Sequence, residues 1–199
     1  IIRYFLEEHQ ENTRRDTVRC TFDALLQIPT SNEKPVYVFA HLYVPHPPFL
    51  FGPNGENISP DHNEISGLQS WENEDGYRNQ LIYATMETKK IIENIIKNDP
   101  SSIIVLQGDT GTLTGINLKN IEYKDLTFDG VYQSHSILYG IRISTNLSPD
   151  IINPVNTYRI INNYIFESDY DYLETKNFTK SNGKLDEITQ KLKSHSLDD

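Results

Sequence analysis

Two short stretches gather side chains that do chemistry. One is Pro45-His46-Pro47-Pro48 and the other is Gly108-Asp109-Thr110-Gly111; each closes an apolar run. The prolines around His46 stiffen the chain and hold the imidazole at low entropic cost. An imidazole held this way can bind a metal or donate to a phosphate or sulfate oxygen, and a surface histidine in a polyproline turn would read the same. Asp109 offers the hard oxygen that divalent cations take, and its neighbouring glycines let backbone approach a ligand closely. Gly-Asp-x-Gly after a strand also simply turns the chain, and on local sequence alone the turn is the preferred reading.

The other candidates carry less. His41 lies inside an apolar run, where a hydrogen-bonded core histidine is expected. His62 sits in a loop with no nameable partner, His135 precedes a strand and could reach its end, and His9 and His195 stand near the termini. Tyr43, Phe49, Phe51, Trp71 and Tyr77 bracket the same loop and could wall a pocket or anchor the loop to the core. A single cysteine, Cys20, excludes an internal disulfide framework and a cysteine-based zinc site. No glycine-rich loop opens a helix, which argues against a nucleotide fold, and no G-x-S-x-G elbow is present.

These residues need elements to place them. The first 28 residues read as helix, with Val18, Phe22, Leu25 and Leu26 at helical spacing and a capping-box-like Thr13-Arg14-Arg15-Asp16. Val36 to Val44 is the strongest strand signal, apolar on both alternations as in a parallel sheet covered on both faces. A loop over 49–76 follows. Tyr77 to Asn98 predicts a long helix burying Leu81, Ala84, Ile91, Ile92, Ile95 and Ile96. Ser102 to Gln107 predicts a second strand, so strand, helix and strand form a right-handed βαβ unit. Residues 112–134 read as irregular and 136–144 as a third strand. Asn153 caps a helix that starts at Pro154, runs to Phe166 and offers Val155, Tyr158, Ile161, Ile165 and Phe166 for burial. A short helix is expected within 184–194. In an open α/β sheet ligands sit beyond the carboxyl ends of strands, which would put His46 and Asp109 on one edge.

The composition sets the outer bounds. The 199 residues suit one ordinary domain or a large piece of a bigger one. The net charge of −10 argues against a nucleic-acid footprint, which needs a basic patch. No apolar stretch is long enough to span a bilayer. Ile1 is not an initiator residue, so the sequence is expected to be a fragment or processed product of a longer chain.

Taken in order, the pieces resemble the sulfatase-like branch of the alkaline phosphatase superfamily. The resemblance is carried by Lys34 to His41, Pro45 to Phe49 with Phe51 and Gly55, then Tyr77, Gln80-Leu81 and Tyr83. Ile103 to Asp109 matches the strand ending in a Gln-Gly-Asp-His-Gly signature, and Pro154-Val155-Asn156-Thr157-Tyr158-Arg159 matches a later block. The resemblance implies an alkaline-phosphatase-like α/β fold, a parallel-rich sheet flanked by helices. Residues 1–180 would be the C-terminal portion of an incomplete domain, and 181–199 a polar tail. It implies transfer or hydrolysis of a sulfate or phosphate ester by a Thr, Ser or modified Cys nucleophile with a divalent metal ion (Zn, Mn, Mg or Ca). It also implies an anionic ester substrate and an extracytoplasmic domain, in many relatives anchored by upstream membrane helices. Asp109 then looks like a metal ligand and His46 like the contact to the substrate's anionic group. His41 falls at a recurring position of the branch on the substrate side. Thr110 stands where the family has a metal-binding histidine. Nothing in 1–35 resembles the nucleophile motif, so no catalytic residue is assigned in this chain and isolated residues 1–199 are expected to be inactive. The alternative is a degenerate, non-catalytic member that binds an anion or a protein partner.

Overall fold

The computed structural model describes residues 2–28, 35–59, 68–113, 128–181 and 184–195. They combine helices with short antiparallel strands, a mixed α and β architecture. The chain divides into two compact units. One holds residues 1–102 with 114–119, and the other holds 103–113 with 120–199.

Two long helices organise the first unit, α1 (Ile2–Leu26) and α2 (Glu74–Asn98), which pack on each other. Val18 and Phe22 of α1 meet Tyr83 and Ile91 of α2, and Leu50 and Phe51 join them from the intervening segment. Phe22 lies edge-on to Tyr83 at 5.9 Å, and Phe51 lies 4.8 Å from the same ring. Helix α1 passes straight through Thr13-Arg14-Arg15-Asp16, so that tetrapeptide is not a helix start. The hydroxyls of Thr13, Thr17 and Thr21 instead donate to carbonyls four residues back, at 2.8–2.9 Å. Helix α2 begins earlier than expected. The Asn73 side chain caps it by accepting from Gly76 N at 2.7 Å, and Glu74 and Asp75 suit its positive N-terminal end. Its buried face is Gln80, Tyr83, Ala84 and Ile91, whereas Leu81 is exposed.

The expected strand Val36–Val44 is not a strand; these residues lie outside any ladder. The physical reason is pairing. β-Rich residues make a strand only where a neighbouring strand takes their N–H and C=O groups. The described strands pair only as Ile104–Gln107 with Tyr139–Arg142 and Phe178–Ser181 with Lys184–Glu187. The expected parallel βαβ unit is therefore not formed by the described residues. Within the expected loop, Phe51 and Asn57 form an isolated antiparallel bridge around a tight turn at Gly55 (φ +83°). A 3₁₀ helix covers Leu68–Glu72. His62 lies outside the described residues.

In the second unit β1 (Ile104–Gln107) pairs antiparallel with β2 (Tyr139–Arg142), Ile104 opposite Arg142 and Gln107 opposite Tyr139. Helix α3 (Phe128–His135) occupies part of a region expected to be irregular. Asn153 accepts from Asn156 N, as its capping role required, ahead of a 3₁₀ turn at Pro154–Asn156 and of α4 (Thr157–Phe166). Helix α4 buries Thr157 and Ile160. It exposes Tyr158, Ile165 and Phe166, so most of the expected apolar stripe is uncovered. The fully buried Asn156 amide exchanges two 2.9 Å hydrogen bonds with the Leu173 backbone, and so ties down the chain that leaves α4. The region expected as one short helix is split. Strand β4 (Lys184–Glu187) forms a hairpin with β3 (Phe178–Ser181), and α5 (Thr189–His195) follows. Thr189 closes the hairpin base by accepting from Asn177 N at 2.8 Å.

Candidate functional site

His46 sits in a segment with few backbone donors, because Pro45, Pro47 and Pro48 have no N–H. The His46 ring Nδ1 lies 2.6 Å from the Pro47 carbonyl. A carbonyl oxygen only accepts, so Nδ1 carries a proton and donates it. In the neutral ring Nε2 then holds the lone pair, and in the protonated ring it is a second donor. Nε2 has no hydrogen-bond partner among the described residues. This is the arrangement needed to ligate a metal, take up a proton, or donate to an anionic oxygen.

Aromatic rings support it. Trp71 lies edge-on to His46 at 5.3 Å, and Tyr43 lies edge-on at 6.1 Å. Phe49 and Tyr77 continue the row behind Trp71, at 6.3 Å and 6.1 Å. His41 joins the row through Tyr43 at 5.5 Å, so His41 and His46 flank one tyrosine. His41 is an exposed side chain, not the core histidine its position in an apolar run suggested. Four of the five expected wall aromatics belong to this row. Phe51 does not; it packs against Tyr83 under the Arg19 guanidinium, 5.3 Å from its ring.

Three residues to which the sequence reading gave no role at the site hold this segment. Gln80 accepts from Leu50 N at 2.7 Å and Phe51 N at 3.3 Å, and donates to His46 O at 3.0 Å. Arg15 donates to Leu50 O and Ile58 O and pairs with Glu11 at 3.0 Å. Arg19 donates to Gly55 O at 3.0 Å and Asn57 Oδ1 at 2.7 Å. The signal for Gln80 was present in the sequence. It occupies the same helical face as Ala84, Ile91 and Ile95, and a polar side chain on a buried face must find partners.

Asp109 and Thr110 belong to the second unit. They form an exposed bend after β1. The bend is tied on both sides, by Gly108 N to Leu138 O at 2.8 Å and Gly111 N to Ser134 O at 2.9 Å. Gly111 is required there, since a Cβ would fall 1.9 Å from Gln133 O. His46 follows no strand, and Asp109 follows a strand in an antiparallel pair, so the expectation that one sheet edge presents both is not met by the described residues. Among the described residues no three His, Cys, Asp or Glu side chains converge as a metal site. Asp109 supplies one hard oxygen and Thr110 a neutral hydroxyl, short of the ligand set a divalent ion needs. His135 is engaged elsewhere, its Nδ1 2.8 Å from Val131 O and its Nε2 3.1 Å from Phe178 O.

Comparison of the chain with protein-family models, with curated proteins and with solved structures finds no match.

Proposed function

We propose that residues 1–199 are the C-terminal part of a sulfatase-like domain of the alkaline phosphatase superfamily, and that His46 contacts the sulfate or phosphate group of an ester substrate. The observation that carries this is the His46 imidazole. Its Nδ1 proton is committed to Pro47 O, and its Nε2 has no described partner. The protonated ring directs one N–H at an anion, a charge-assisted hydrogen bond of the strong kind. His41 lies one tyrosine away and adds a second imidazole on the substrate side. In this reading the parallel-rich sheet is completed by chain outside residues 1–199, which also brings the nucleophile. Asp109 contributes one carboxylate to a divalent metal whose other ligands come from that chain. The domain acts on the extracytoplasmic side of a membrane. No helix among the described residues is long and apolar enough to cross one.

Thr110 supports a second reading, a non-catalytic member that binds anions without turnover. A neutral hydroxyl stands where an imidazole ligand is expected, and it is exposed on the Asp109 bend. Ester turnover by the full-length protein separates the two readings.

Anion binding is tested through Trp71, the only tryptophan. Trp71 lies edge-on to His46 at 5.3 Å, so its emission reports a ligand on the imidazole. Sulfate added at fixed pH should change that emission saturably, against chloride at matched ionic strength, and the change should vanish in His46→Ala. Emission indifferent to sulfate overturns the proposal.

A further inference from the structure

We infer that Gln80 is the positioning residue of the His46 site, acting as a side-chain staple across Pro47-Pro48-Phe49. The segment needs one. It runs outside any ladder, and two of the three residues between His46 and Leu50 are prolines without an N–H. Its remaining polar backbone groups must find partners when covered. One amide does this for both ends. Gln80 Nε2 donates to His46 O at 3.0 Å, while Oε1 accepts from Leu50 N at 2.7 Å and Phe51 N at 3.3 Å. Gln80 is 1% exposed, so these bonds form away from competing water.

The consequence for the ring follows from chain connectivity. The His46 carbonyl held by Gln80 belongs to the same peptide unit that leads to Pro47. Pro47 O is in turn the acceptor that fixes the Nδ1 proton. Gln80 thus sets the backbone whose carbonyl selects the tautomer, and the tautomer decides that Nε2 is the free nitrogen. An outer residue that orients a histidine in this way ordinarily changes ligand affinity by tenfold or more when lost. Leu50 is fixed from its other side by Arg15 Nε at 3.3 Å and Ile58 N at 2.9 Å, so the staple has a rigid anchor.

Gln80→Glu is the most selective variant. It keeps an acceptor for Leu50 N and Phe51 N and removes the donor to His46 O. The readout is the ¹⁵N spectrum of the His46 ring at a pH where it is neutral. Wild type should show one tautomer, protonated at Nδ1, and Gln80→Glu a mixture of both. Gln80→Leu, which removes all three bonds, should mix them further. Asn94→Ala serves as the destabilised control, since Asn94 Nδ2 donates to Leu26 O in the same unit, far from His46 in sequence. It should lower the unfolding midpoint and leave a single tautomer. A single tautomer in folded Gln80→Glu or Gln80→Leu, or mixing in Asn94→Ala, overturns the inference. Should both Gln80 variants fail to fold, wild type still decides: the Gln80 Nε2 protons must exchange slowly with solvent, and rapid exchange overturns the staple. The tautomer readout does not depend on anion binding. The functional consequence rests on the proposed role of His46, and appears as roughly tenfold weaker sulfate binding in Gln80→Glu. Tautomer mixing with no sulfate binding in wild type would uphold the staple and sink the proposed function.

Discussion

Arg15 shows how much of the first unit hangs on single polar side chains. Its guanidinium is 4% exposed and its partner Glu11 is 12% exposed, so the pair is screened little by water. It also donates to the Leu50 and Ile58 carbonyls, the former shared with Ile58 N. Arg15→Met leaves a covered carboxylate and takes one donor from each of these carbonyls, and should lower stability by about 3 kcal/mol in urea unfolding. A loss under about 1 kcal/mol would show that the pair is no more than a surface bridge. Tyr83 gives a second test with a definite sign. Burial raises its phenol above the ordinary 10.0, and Glu87 adds to the rise while Arg19 opposes it. Below pH 10 the folded and unfolded states both keep the proton, and stability is unaffected. Above it the unfolded chain loses the proton first, so stability falls as pH rises through the folded value. Tyr83→Phe should flatten the part of the alkaline fall that differs from wild type, measured by thermal unfolding between pH 9 and 11.

At the scale of elements, the Asp109 bend makes the sharpest prediction. A methyl at Gly111 meets Gln133 O at 1.9 Å, whereas one at Gly108 finds nothing closer than 3.5 Å. Gly111→Ala should therefore cost about 2 kcal/mol and release the protected Gly111 amide to exchange, while Gly108→Ala stays within about 1 kcal/mol. Equal tolerance at both positions would mean that the bend does not press on the end of α3. Helices α1, α2 and α4 were legible in the sequence because a 3.6-residue period needs no partner to be recognised, whereas α3 was read as irregular; Val18 with Phe22, and Ala84 with Ile91, fell where expected. Strands β1 and β2 were legible as segments but not as an antiparallel pair, since pairing direction is set by neighbours and not by composition. The β3–β4 hairpin was missed because Lys184-Leu185-Asp186-Glu187 has a helix former's composition and is committed to a strand only by its partner. At the site, His46 and its aromatic row were legible from residue type. The staple and Arg15 were not, because long-range hydrogen bonds leave no local pattern beyond a polar residue on an apolar face.

At the scale of the whole molecule, the segment Val36–Val44 demands an explanation. Its far end is anchored, with Leu42 and Val44 packed against the first-unit core. Its near end is exposed, Phe39 at 77% and Val36, Tyr37 and Val38 as well. Both alternations are uncovered, so the segment is not an amphipathic strand with a wet face. A run of large apolar side chains left in water is the mark of a surface that something covers. A β-rich segment outside any ladder of the described residues is also a template for pairing. The proposed function supplies the cover as the remainder of a parallel sheet, in which a strand is apolar on both faces. The prediction follows for residues 1–199 alone: amides of 38–41 should exchange as fast as those of an unstructured peptide, while the α2 amides near Tyr83 stay protected. Exchanging Val38 and Phe39 for Thr and Lys should raise solubility and lower binding of an apolar dye, without moving the unfolding midpoint, because neither side chain contributes to the core. Slow exchange at 38–41 would mean that these residues already have a partner, either within the chain or in a second copy. The concentration dependence of that protection would say which, since pairing between copies weakens on dilution and pairing within one chain does not.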